Sequence, residues 1–157
     1  MRRKNKEITD KAVLHEILRN SEVCRIAFFD DEYPYIVPMN YGYKDDCLFF
    51  HCAPEGRKLD LIRKNNNVGF EIEHSHEIIK DDLSCKWTTK YRSIIGVGEI
   101  EIITNKTGKR EGLDCIMKQH GKTDNEYNNS ALDFIVVLKL HIKNMSGKQS
   151  RVNKGAT

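Results

Sequence analysis

Between residues 23 and 51 three β-type runs follow one another at hairpin spacing, and this limits the fold more than any other feature of the chain. Val23–Phe29 is followed by Asp30-Asp31-Glu32, Tyr35–Tyr43 by Lys44-Asp45-Asp46, and Cys47–His51 completes the set. Branched and aromatic side chains favour strands, whereas short acidic clusters favour turns. Connections this short have no room for the crossover that parallel strands need. The spacing predicts an antiparallel meander, not a doubly wound sheet.

The flanks add helices at the periphery. Thr9–Asn20 reads as a helix capped by Thr9 or Asp10, with Val13, Leu14, Ile17 and Leu18 on one face. Lys58–Asn65 and Arg110–His120 read as two more, the latter with Gly121 as its C-cap. Val68–Glu73 is a strand, and His74–Trp87 is polar enough to read as a long loop. Tyr91–Ile103 is a long strand that Gly96 and Gly98 should bulge or bend, and Phe134–Ile142 is the last strand. The expectation is a mainly β protein with peripheral helices. Residues 1–150 form one domain and 151–157 a basic, flexible tail.

Charge and cysteine usage exclude some classes. The formal net charge is only +3, and the excess cations sit at the ends, in Arg2, Arg3, Lys4 and Lys6 and in Lys148, Arg151 and Lys154. No interior stretch interleaves bases with aromatics, so the expectation is no nucleic-acid partner. The longest apolar run is Phe134–Leu138, far short of the roughly 20 residues that a membrane helix needs. Five cysteines, odd in number and without a Cys-x-x-Cys, fit a reduced cytoplasm, as does a start without the apolar stretch of a signal peptide.

The stretch richest in chemistry is Phe49-Phe50-His51-Cys52-Ala53-Pro54-Glu55-Gly56-Arg57-Lys58. A strand ends, a Pro/Gly loop follows, and a helix opens on two adjacent cations. Helix N-termini offer free N–H groups and positive potential, so cations there are locally unfavourable. An anion held between Arg57 and Lys58 would offset that cost, Arg gripping two oxygens and Lys supplying a point charge. The alternative is a solvated helix start with ordinary surface bases. Neither a dinucleotide loop nor a Walker loop is present: Gly96-Val97-Gly98 lacks its third glycine, and Gly121-Lys122-Thr123 its upstream one.

Four segments occur in order: Tyr35–Tyr43, Phe50–Lys58, Tyr91–Gly98 and Met145-Ser146-Gly147-Lys148. In this arrangement the chain resembles the pyridoxamine 5'-phosphate oxidase-like flavoproteins, and within them the nitroimidazole-resistance branch. The resemblance implies an FMN-binding split β-barrel, antiparallel and Greek-key-like, that forms a homodimer with FMN at the interface. It also implies an oxidoreductase that passes electrons to a small acceptor, a nicotinamide being one candidate donor. By resemblance, Val37, Pro38, Met39, Asn40 and Tyr41 lie along the isoalloxazine ring. Pro38 has no N–H, so Met39, Asn40 and Tyr41 must serve its polar edge. Phe50 and His51 flank the ribityl chain, Arg57 and Lys58 hold the phosphate, and Arg92, Ser93, Gly147 and Lys148 approach from the long strand and the C-terminal segment. No Trp stands near the C-terminus, which sets the chain apart from vitamin B6 oxidation.

His51 has two readings: proton donor to a substrate reduced by the flavin, or a hydrogen-bonding residue that never transfers a proton. His74-x-His76 has no second pair at ligand spacing, so no metal is expected. Cys24, Cys47 and Cys115 lie in apolar patterns and read as core, and Trp87 and Tyr91 read as either flavin-stacking or packing residues. The competing class is a non-catalytic flavin- or haem-binding carrier or sensor.

Overall fold

The computed structural model describes residues 3–150; the basic tail expected over 151–157 lies outside them. In chain order the elements are β1 (Glu7–Ile8), α1 (Lys11–Asn20), β2 (Val23–Phe28), β3 (Tyr35–Asn40), β4 (Gly42–Lys44), β5 (Cys47–Cys52), α2 (Arg57–Lys64), β6 (Asn67–Ile79), β7 (Thr88–Ile103), α3 (Lys106–Gln119) and β8 (Val136–Ser150). The helices begin where local chemistry allows. Asp10 caps α1 by accepting from the Ala12 N–H at 2.8 Å, and Asn105 caps α3 through the Gly108 N–H at 2.7 Å. Leu14, Ile17 and Leu18 are the buried face of α1, each worth roughly 1.5–3 kcal/mol by burial.

The strands form one antiparallel sheet in the order β3-β2-β6-β7-β8-β5-β4, with β1 added to β8. The ends of that path, β3 and β4, share no ladder, yet they are consecutive in the chain and separated only by Tyr41. The run read as one strand, Tyr35–Tyr43, is therefore two. Its first half pairs with β2 and its second with β5, so the meander breaks at Tyr41. Tyr41 is fully buried and its hydroxyl donates to the Leu18 carbonyl at 2.7 Å, fastening the changeover to the end of α1. The sheet curls round a core of Ile26, Phe28, Leu48, Phe50, Ile72, Ile94, Leu138 and Leu140 but stays split between β3 and β5. A smaller cluster of Leu113, Ile116, Leu132 and Val137 seats α3.

Two expectations fail at the polar ends of strands. His74–Trp87 is not a long loop: β6 continues to Ile79 and pairs with β7 out to Ile79↔Thr88, after a register shift between Glu73 and Ser75. The last strand does not stop at Ile142 but runs to Ser150 along β7. Beyond the core the paired backbone holds the strands, whatever the polarity of their side chains. The bend foreseen in β7 is present as a register shift between Val97 and Gly98. A Cβ on Gly98 would collide with the His141 carbonyl, and one on Gly96 with the Phe70 ring.

Candidate functional site

The split places three elements beside one another. On one side lies β3, which pairs only with β2 and so has a free edge. On the other lies the far half of β5, past the point where β4 leaves it at Phe49. At the end of the split α2 begins. Pro38 shows which β3 groups face the opening: its missing N–H is tolerated only on the edge side. The β2–β3 register is regular, so the edge carries the groups of Ile36, Pro38 and Asn40. Met39 turns its N–H towards β2, and of the donors expected to serve a flavin edge Asn40 is the one on the open side of β3. The side chains of Val37 and Met39 pack on the core, as does that of Phe50, whereas His51 points outward and is exposed. The His51 ring makes no hydrogen bond among the described residues, while its backbone lies in the β5–β8 ladder.

The start of α2 presents groups that suit an anion. Gly56 occupies the N-cap with φ of 127°, a left-handed value that favours glycine, and supplies no side-chain cap. Its carbonyl accepts from the Leu59 N–H at 2.9 Å, while the N–H groups of Arg57 and Lys58 have no backbone partner among the described residues. The two cations differ. Arg57 is ion-paired with Asp30, which follows β2, and its guanidinium lies 4.9 Å from the centre of the Tyr35 ring. The cost of a cation at this helix start is thus already offset by Asp30. Lys58 has no carboxylate partner among the described residues. Burial pushes the Cys52 thiol up, and the Lys58 charge pulls it back, which places that ammonium near the end of β5. Lys58 is the free cation of the pair.

The remaining expected residues lie elsewhere in the chain. Ser93 and Lys148 face each other across β7 and β8, and Gly147 faces Ile94. β8 adjoins β5 directly, but Lys148 lies far along it from Val136, the partner of Cys52 at the α2 end, roughly 40 Å along the strand at about 3.3 Å per residue. Gly147 packs against Leu14 and Ile8, where any side chain would collide. Arg92 turns toward Glu16 of α1 at 3.4 Å, and its Nε is buried without a partner. Lys148 and Lys6 lie 5.9 and 5.8 Å from the Tyr91 ring centre, so Tyr91 is committed to two ammonium groups. A single chain does not bring these residues to the α2 cradle.

Other candidates resolve simply. His74 lies 3.2 Å from the Ser21 hydroxyl, and no cluster with metal-ligand geometry exists among the described residues. Trp87 donates to the Asp81 carbonyl at 2.7 Å near the tip of the β6–β7 hairpin. A cavity of about 820 Å³ lies on the α3 side of β4, with His15, Tyr43, Asp46 and Cys115 among its walls. Asp30, which holds Arg57, lacks a hydrophobic periodicity to mark it. Its position in the turn after β2 was the available signal. No helix among the described residues is long and apolar enough to cross a membrane.

An incompletely closed antiparallel sheet with a ligand-ready helix start at its split defines the split-barrel class. The family model described as pyridoxamine 5'-phosphate oxidase matches residues 10–149, and the chain belongs to that family. It is 32% identical to a candidate 5-nitroimidazole antibiotic resistance protein of Bacteroides thetaiotaomicron, over 90% of this chain and 85% of that one, with a TM-score of 0.81. More distant likenesses, showing the fold, include an FAD and haem binding protein of Mycobacterium smegmatis (22% identity, 94% and 74% coverage, TM-score 0.83) and the flavocytochrome Anf3 of Azotobacter vinelandii (15%, 97% and 72%, 0.82). No curated protein matches the sequence.

Proposed function

We propose that this protein binds FMN as a homodimer and works as an oxidoreductase on small acceptors, nitroaromatic compounds among them, with electrons from a nicotinamide or another small reductant. The observation that carries the reading is the start of α2, where two unengaged N–H groups and the free Lys58 ammonium converge beside an open strand edge. Together they suit a phosphomonoester, and the edge groups of Ile36 and Asn40 suit the polar rim of a planar ring. When bound, the flavin supplies the electron transfer; the chain supplies binding, orientation and proton handling. The loop Ala53–Gly56 is short and leads to one cradle, which favours FMN over a cofactor with a second phosphate.

A second copy supports the site in two ways. It is a source of the Ser93 and Lys148 contacts that a chain does not supply to its own cradle. It also covers an apolar row: Ile36, Ala27, Gly69 and Val97 are cross-strand neighbours on one face, with Ile95 beside them. Ile36, Ile95 and Val97 are each more than half exposed in one chain. Two-fold pairing is the usual form of such self-association.

Absorbance of the protein purified without added cofactor tests the reading, followed by chromatography of the released group and a rate measurement with a nitroaromatic acceptor and a reduced nicotinamide. Bands of oxidised flavin, FMN on release and acceptor-dependent turnover are expected. A carrier or sensor is the second reading, favoured by the flavin and haem named for its structural neighbours. A Soret band, or FMN that no donor–acceptor pair turns over, decides for it.

A further inference from the structure

On the α3 side of the sheet, away from the flavin cradle, a thiol, an imidazole and a carboxylate stand in line across three neighbouring strands. Cys47 of β5 is opposite His141 of β8 in the register, with Sγ 3.6 Å from Nδ1. His141 Nε2 lies 3.0 Å from Oε2 of Glu101 on β7. An ionised carboxylate only accepts hydrogen bonds, so Nε2 carries the ring proton and Nδ1 turns its lone pair to the thiol. This is the tautomer in which a histidine can remove a proton from a nucleophile as it attacks, with the acid holding the ring in place.

The surroundings limit what can react. Cys47 is only 8% exposed, so a bulky electrophile has no access. Burial pushes the thiol up, the Lys139 ammonium lowers it, and Asp46, Asp45 and Glu101 raise it again. The sulfur is therefore a thiol at neutral pH, and its reactivity depends on help from His141 during attack, not on a standing thiolate.

We propose that Cys47 is an oxidisable cysteine, activated by the His141–Glu101 relay and specific for small hydroperoxides such as hydrogen peroxide. His141 Nδ1 takes the thiol proton as the sulfur attacks the terminal peroxide oxygen. The S–O bond forms while the O–O bond breaks. Sulfur loses two electrons, the peroxide gains them, and the departing alkoxide or hydroxide recovers the proton from His141. Cysteine sulfenic acid and an alcohol or water are the products.

Cys85, exposed beside the tip of the β6–β7 hairpin, is an internal control. Exposure alone makes Cys85 the first cysteine oxidised; the relay makes it Cys47. The full chain is treated with hydrogen peroxide for timed intervals, the excess is removed with catalase, and the chain is then unfolded in dimedone so that a buried sulfenic acid is reached as readily as an exposed one; labelling at each cysteine is followed by peptide mass spectrometry. Positioned general bases contribute about 10²–10⁴-fold, so Cys47 is expected to label at least about tenfold faster than Cys85. His141→Ala should drop Cys47 below Cys85 and leave Cys85 unchanged. Glu101→Gln should do the same, because the amide can donate to Nε2 and move the ring proton to Nδ1. Both replaced side chains are well exposed, and thermal melting verifies that the variants fold. Labelling that is faster at Cys85 in the unmodified protein, or unaltered at Cys47 in both variants, overturns the proposal.

Discussion

The two adjacent cations at the start of α2 should contribute unequally to FMN binding, although sequence makes them look alike. Lys58 has no carboxylate partner, so its full charge is available to a phosphate. Hydrogen bonds to charged groups contribute about 1.5–3 kcal/mol, and Lys58→Ala should therefore weaken FMN binding about 10- to 150-fold. Arg57 starts from an ion pair with Asp30 and from the face of Tyr35, and must give up part of both to reach the ligand. Its exposed position caps the net gain near 1 kcal/mol, so Arg57→Ala should cost about fivefold or less. Asp30→Asn tests the cause directly. It frees the guanidinium and removes a negative charge near the phosphate, so FMN should bind a few-fold tighter. Flavin fluorescence quenching gives each dissociation constant, and riboflavin, which lacks the phosphate, serves as the control. Equal losses for the two lysine- and arginine-deleted proteins, or the same loss for riboflavin as for FMN, would refute the reasoning.

Val97→Asp places a carboxylate in the apolar row and should give a monomer by light scattering that has also lost its flavin; a dimer with full flavin content would separate this row from the interface. His51→Ala separates its two roles: a proton donor loses about 10²–10⁴-fold in turnover with FMN still bound, whereas a ribityl ligand loses affinity and keeps its rate at saturating FMN. Gly42→Ala forces a methyl group into the backbone of α3 at Cys115 and Ile116, where no side-chain rotation relieves it. Overpacking of this kind costs about 1–3 kcal/mol, readable as a lower denaturant midpoint, and an unchanged midpoint would show that α3 moves freely over β4.

Sequence periodicity reads best where one face of an element is buried. The α1 stripe and its Asp10 cap, the turns after β2 and β4, and the glycine-marked bend in β7 were all legible for that reason. It fails where few side chains of a strand are buried. His74–Ile79 and Lys143–Ser150 look like loop and tail because their burial pattern is weak, yet each pairs with β7 through its backbone. The break at Tyr41 was hidden for a different reason: the chain is in a strand on both sides of it, and what changes is the choice of partner. In the candidate site, the loop and helix that form the cradle could be read from Pro54, Gly56 and the cations. The pairing of Arg57 with Asp30 joins residues 27 positions apart and depends on the sheet. The same holds for Cys47: an apolar neighbourhood marks it as core, and only the strand register sets His141 and Glu101 beside it.

The open edge of β3 is also a place where chains can add to one another without limit. Edge-to-edge growth needs an uninterrupted series of outward N–H groups, and Pro38 removes the middle one from β3. The residue that leaves a gap in the donors of this edge thus also guards a single chain against edge-to-edge pairing. Pro38→Val would restore the series, and with it a template on which further strands can pair.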